Sequence, residues 1–185
     1  MSSGLLNSSN SFSIRRLTPS DAGVFRSVRL EALQNAPEAF GSTFEKESAE
    51  PVQYFVDRLG RNVVFGGFFD QSLVGVAGFY KQEGTKMNHK GVLWGMYVKP
   101  EARGSGVAAA LVEALLEHAS KEVEQVQLTV VVNNLRARRF YERMGFAEYG
   151  LEKESLKYRG AYFDEALMVK FLRRKQYPQK GERKE

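Results

Sequence analysis

The chain has 185 residues, 43% hydrophobic and 26% charged, which suits one globular domain with its own core. It has no cysteine, which excludes disulfide frameworks, thiolate metal sites, iron–sulfur clusters and thiol nucleophiles; two histidines, His89 and His118, leave little for a histidine metal site or a Ser/His/Asp triad. Lys and Arg outnumber Asp and Glu by 27 to 22, a net +5, but residues 173–185 alone hold +4, so the body is nearly neutral.

Residues 1–11 are polar, rich in Ser and Asn, and read as a disordered leader; without a basic n-region they do not form a signal peptide. No apolar run approaches the ~18 residues of a membrane span, so the expectation is a cytoplasmic protein without a membrane partner. Phe12–Leu17 alternates apolar and polar residues, the period of a half-buried strand. Thr18-Pro19-Ser20-Asp21 predicts a helix start, with Phe25, Val28 and Leu33 facing inward and an end before Pro37. Residues 37–49 read as a loop, and Pro51 opens a second short helix burying Phe55, Val56 and Leu59.

Two strand-like runs follow, 62–69 and 72–81, joined at hairpin length by Asp70-Gln71. After a polar turn at 86–90, GVLWGMYV (91–98) predicts a third long strand. The helix over 107–120 presents Leu111, Val112, Leu115, Leu116 and Ala119 on one face. Val126–Val132 has the near-continuous apolar character of a strand buried on both faces. A helix over 134–144, stopped by Gly145, and two strands around a turn at 157–160 complete one mixed α/β domain over 12–172. The basic tail over 173–185 is a third, separate segment.

The strongest chemical signal is the strand–turn–helix passage through Arg103-Gly104-Ser105-Gly106-Val107-Ala108. Small residues there let backbone N–H groups converge at the positive end of a helix, a geometry suited to phosphate or pyrophosphate. A P-loop is excluded because Gly-x-x-x-x-Gly-Lys-Ser/Thr is absent. Gly104, Gly106 and Ala109 match the letters of the dinucleotide turn, but the strand ends five residues too early, and Asn133 stands where the ribose-binding acid belongs. A ligand-free helix entry is the plainer alternative.

The runs LWGMYVKPEARGSGVAAALVEALLEHA and VVVNNLRARRFYERMGF closely resemble the acetyl-CoA-binding half of the GNAT superfamily of N-acetyltransferases. Arg103, Gly106 and Ala108 match its first signature; Asn134, Ala137, Phe140, Tyr141, Gly145 and Phe146 match its second at every spacing. The resemblance implies a mostly antiparallel, twisted sheet of six to seven strands with about four helices, splayed near Val98 and Val132. It further implies acetyl-CoA as cosubstrate, no metal, and an amine acceptor as partner, with a homodimer left open.

Carried over by position, the resemblance gives the N–H groups of Gly104, Ser105, Gly106, Val107 and Ala108, with Arg103, to the CoA pyrophosphate. It gives the backbone of Met96, Tyr97 and Val98 to the pantetheine arm and the thioester carbonyl, although a plain core strand is the reading without it. Asn134 and Ala137 would border pantetheine, Asn134 being equally a helix cap. Tyr141 would donate a proton to the departing thiolate, although its place on an apolar stripe also suits packing. Arg136, Arg138 and Arg139 would assist near the CoA phosphates. Members of the family often carry a carboxylate on the strand before the loop, but 92–98 holds none. The base is then Glu31, Glu45, Glu47, Asp164, Glu165 or a water, each carboxylate also reading as a solvated surface charge.

The acceptor site is expected between the first two helices, the loop over 36–50 and the turn near Tyr158–Tyr162, with Glu45, Glu47 and Glu50 attracting a cationic amine. Two other function classes compete: a non-catalytic acyl-CoA-binding regulatory module, and a nucleic-acid binder driven by the basic tail, which the phosphate loop does not require.

Overall fold

β1 (Phe12–Arg16) leads through the buried Leu17 into a 3-10 turn at Pro19–Asp21 and then α1 (Ala22–Asn35). The computed structural model describes residues 11–172; residues 1–10 of the expected leader and the basic tail over 173–185 lie outside the described residues. At the helix entry the Asp21 carboxylate accepts from the Thr18 N–H at 2.8 Å and its hydroxyl at 3.1 Å, so the expected start is there, one 3-10 turn ahead of α1. The loop expected over 37–49 contains a 3-10 turn at Pro37–Ala39 and a short helix, α2 (Phe44–Ser48). That helix is capped by the Thr43 side chain, a local signal the apolar periodicity of so short a segment does not carry. α3 (Val52–Arg61) follows Pro51 as expected.

The seven strands form one sheet in the order β1-β2-β3-β4-β5-β7-β6, with β2 (Val63–Phe69), β3 (Ser72–Lys81), β4 (Lys90–Val98), β5 (Gln125–Val131), β6 (Ala147–Tyr158) and β7 (Ala161–Phe171). Every neighbouring pair is antiparallel except β4 and β5. α4 (Val107–Ala119) joins β4 to β5, the crossover a parallel pair requires, and α5 (Leu135–Arg143) joins β5 to β6.

Alternation along the strands gives the sheet two apolar faces. On one, Phe25, Val28, Phe55 and Leu59 of α1 and α3 pack with Val64, Phe68, Val76 and Tyr97. On the other, Val107, Leu111, Leu115 and Tyr141 of α4 and α5 pack with Phe79, Leu93, Val126, Leu128, Val130 and Met168.

Two departures from regular pairing mark the centre of the sheet. β4 and β5 pair only over Lys90↔Gln125, Gly91↔Val126 and Val92↔Gln127, and beyond that register they diverge. β4 also bulges: Val76 and Gly78 of β3 face Tyr97 and Trp94, so β4 spends an extra residue there, and Gly95 takes φ +63°. Nearer the edge, β6 bulges between Glu152 and Leu156 as well, with Glu154 at φ +53°. Among the described residues, no helix is long and apolar enough to cross a membrane.

Candidate active site

The turn after β4 is built by two glycines. Gly104 (φ +86°) and Gly106 (φ +95°) both sit in the left-handed region, which side-chain-bearing residues enter at a cost. Residues 103–106 are exposed, and the first turn of α4 has N–H groups with no intrahelical acceptor. The Ser105 hydroxyl donates to the Ala102 carbonyl at 2.7 Å and bends the chain onto the helix axis. Arg103 donates through Nε to the Val98 carbonyl at 3.1 Å, which clamps the end of β4 to the turn. An exposed, pre-bent cradle of N–H groups at a helix N-terminus fits a pyrophosphate.

Beside it the separation of β4 from β5 opens a cavity of about 910 Å³ that reaches both faces of the sheet. Its wall takes Gly95 and Met96 from the bulge, Asn134, Ala137 and Tyr141 from α5, Thr129 and Val131 from β5, and Glu165 from β7. Arg29 of α1, Phe40 and Ser42 of the following loop, and Tyr54, Arg58 and Arg61 of α3 or its end close the opposite face. β6 contributes Tyr149 and Leu156 to the wall.

Of the residues expected around pantetheine, Met96, Asn134, Ala137 and Tyr141 border this one cavity. The side chains of Tyr97 and Val98 are buried in the cores of the two faces, so only their backbone is available. Tyr97 is tied down further: its hydroxyl donates to Glu31 at 3.0 Å and accepts from Asn35 at 2.9 Å. Asn134 caps α5, its Oδ1 accepting from the Ala137 N–H at 3.1 Å. Tyr141 lies edge-on to Phe140 and Phe146, and burial raises its phenol well above the ordinary value. The group therefore stays protonated at neutral pH, as a proton donor must be.

The candidate bases separate clearly. Glu31 pairs with Lys99 at 3.2 Å, and Glu45 is exposed on α2. Asp164 accepts from the Glu154 N–H at 2.8 Å, holding the β6 bulge in place. Glu47 is not a surface charge: it is 1% exposed, bonded by Arg29 at 2.8 and 2.9 Å and by Arg58 at 3.2 Å. Burial pushes its carboxyl up, but the Arg29 hydrogen bonds and the charges of Arg29 and Arg58, with a hydrogen bond from Ser42, hold it below the ordinary value. It serves to fix arginines and is unavailable to attract a cationic amine.

Only Glu165 of the five faces the cavity. It is 8% exposed, and its oxygens accept from Thr129 Oγ1 at 2.8 Å and Ser155 Oγ at 2.7 Å, the second supplied by the β6 bulge. Of the arginines expected near CoA, Arg138 is turned away, donating to Glu148 at 2.7 Å. Among the described residues, no group of three His, Cys, Asp or Glu side chains could hold a metal ion.

Arg29, Trp94, Thr129 and Ser155 were not singled out in the sequence, although Arg29 left a trace there. It falls on the inward stripe of α1 with Phe25, Val28, Ala32 and Leu33, an unusual place for a charge without a buried partner.

Known proteins share the family and the fold of this chain. The chain is 29% identical over 101 residues to a Bacillus subtilis protein named "Putative ribosomal N-acetyltransferase YdaF", covering 54% of each; the chain thus spans about half the length of that curated relative. Among solved structures, a GNAT-family acetyltransferase of Streptococcus pneumoniae superposes with a TM-score of 0.77 at 19% identity, over 87% of this chain and 99% of that one. The structure of yncA from Salmonella typhimurium, solved with its cofactor acetyl-CoA, superposes with a TM-score of 0.75 at 15% identity, over 92% and 99%. A profile of the Acetyltransferase (GNAT) family matches residues 30–146, from α1 to the end of the α5 turn. The chain belongs to the GNAT acetyltransferase family.

Proposed function

We propose that the protein is an acetyl-CoA-dependent N-acetyltransferase that moves an acetyl group from the CoA thioester to a primary amine by direct attack in a ternary complex. The observation that carries this reading is the single cavity through the β4–β5 opening, which has Tyr141 on one face of the sheet and Glu165 on the other. The open N–H cradle at Gly104–Ala108 receives the pyrophosphate, with Arg103 as the nearby cation. The free edge of β4 from Met96 to Val98 pairs with the pantetheine amides, and Asn134 and Ala137 flank the arm.

An amine is protonated near neutral pH and must lose that proton before it can attack. Glu165 takes it, directly or through one water, with Thr129 and Ser155 orienting the carboxylate. The nitrogen lone pair then adds to the thioester carbonyl carbon, and a β4 N–H stabilises the oxyanion that forms. Collapse of that intermediate breaks the carbon–sulfur bond and Tyr141 donates its proton to the thiolate, while the second proton, lost from the acylated nitrogen, passes through water to the Tyr141 phenolate and restores it. Released CoA and N-acetylated amine are the products.

The test is CoA release from acetyl-CoA over a panel of amines, run beside acetyl-CoA binding by calorimetry. Turnover with any amine supports the reading. Tight binding of acetyl-CoA with no turnover across the panel leaves a binding module instead.

A further inference from the structure

Two buried donors on the cavity wall have no acceptor. The Arg29 side chain is 5% exposed; its Nε and Nη2 are used on Glu47, while Nη1 is buried without a hydrogen-bond partner. The Nε1 of Trp94 is in the same condition. Both residues border the cavity, and Arg58 links them: its guanidinium lies over the Trp94 ring at 4.5 Å and shares Glu47 with Arg29. Trp94 immediately precedes Gly95, and a Cβ at Gly95 would lie 3.9 Å from Arg29 Nη1. The missing side chain thus leaves room directly in front of that nitrogen. Phe40 covers the flat face of the Arg29 guanidinium at 4.9 Å, a contact that leaves the in-plane N–H groups unused.

Buried donors without acceptors are rare and costly, and they call for a ligand atom or an ordered water. The charge around them narrows the choice. Arg29 and Arg58 share one carboxylate, Glu47, so this group beside the cavity carries one positive charge in excess. Across the β4–β5 opening the wall instead carries Glu165, which is hydrogen-bonded by two hydroxyls and has no ion-pair partner among the described residues. A cavity with unpaired cationic donors on one side and a carboxylate on the other matches a ligand with its charges separated in the same way.

We infer that the acceptor is an amine that carries its own carboxylate, as a free amino acid does, with the carboxylate received by Arg29 Nη1 and Trp94 Nε1 and the amine turned toward Glu165. This rests on the acetyltransferase reading above and adds the substrate class. A hydrogen bond to a charged group that would otherwise leave buried donors unpaired is worth about tenfold or more in affinity.

The experiment compares kcat/KM for L-amino acids with their carboxamides, the amines lacking the carboxyl group, and short peptides with a free N-terminus. Free amino acids are expected to exceed each matched amide, amine and peptide by about tenfold or more. Equal or better turnover of the matched compounds overturns the inference and leaves the acetyltransferase reading standing. Failure of every compound, with acetyl-CoA still bound, overturns both. Trp94→Phe keeps an aromatic ring for Arg58 to cover and removes the N–H; it should cut the acid-to-amide ratio of kcat/KM severalfold. An unchanged ratio in that variant overturns the assignment of Trp94 and Arg29 as the carboxylate's partners.

Discussion

Glu47→Gln tests how the cavity is held in shape. The glutamine keeps the volume and one acceptor oxygen but removes the charge that neutralises Arg29, a side chain 5% exposed. Arg58 is 21% exposed and can turn toward solvent, whereas Arg29 is locked between α1, Phe40 and β4. Removing one partner of a buried pair strands the other charge and costs about 3–5 kcal/mol; the retained amide oxygen places this variant near the lower figure. Against a typical domain stability of about 5–15 kcal/mol, that is a large share.

Urea unfolding followed by tryptophan fluorescence should show the midpoint falling by about 1 M or more. Replacing both partners, as Arg29→Leu with Glu47→Leu, should cost less than the single change, because no buried charge is left alone. The effect also has a pH signature. The folded carboxyl titrates below its unfolded value of about 4.3, so its contribution is complete above that pH and is lost as pH falls through the lowered value. The gap between wild type and variant should therefore close in acid. A loss under about 1 kcal/mol at neutral pH, the range of exposed ion pairs, would refute the reasoning.

Tyr141→Phe should lower kcat by about 100-fold or more while acetyl-CoA affinity changes little, because the ring stays packed against Phe140 and Phe146 and only the proton donor goes. Single-turnover kinetics beside calorimetry separates the two. Gly106→Asp places a side chain at φ +95° and a negative charge at the helix N-terminus, so acetyl-CoA binding should weaken at least tenfold, an order-of-magnitude expectation read by calorimetry. Glu165→Gln should depress kcat at neutral pH and recover activity as rising pH deprotonates the amine in solution; a pH–rate profile identical to wild type would remove Glu165 as the base.

Much of this architecture was legible in the residue order. The inward stripes of α1, α4 and α5 repeat at helical spacing and declare themselves through local periodicity, whereas β5, expected to be buried on both faces, alternates, with Val126, Leu128 and Val130 in the core and Thr129 exposed. The glycine turn before α4 was equally legible, because two glycines at positive φ before a helix are a local backbone requirement. Tyr141 could be placed on a helix face, and the motif that contains it named its neighbours.

Long-range contacts decided the rest. Glu47 and Glu45 sit two residues apart on one short helix, yet one is enclosed by arginines from α1 and α3 and the other is exposed. Asp164 and Glu165 are adjacent in sequence; strand alternation and a bulge of β6 give one to a backbone N–H and the other to the cavity. Arg138 was one of three equivalent arginines until Glu148, ten residues on, claimed it. The sequence by itself determined the order of the elements and the glycine turn before α4, because periodicity and glycine backbone freedom act within a few residues. Only the tertiary structure decided which carboxylate faces the cavity and which donors stay unpaired, because burial and charge pairing depend on residues that are distant in the chain and meet only in the folded sheet and its helices.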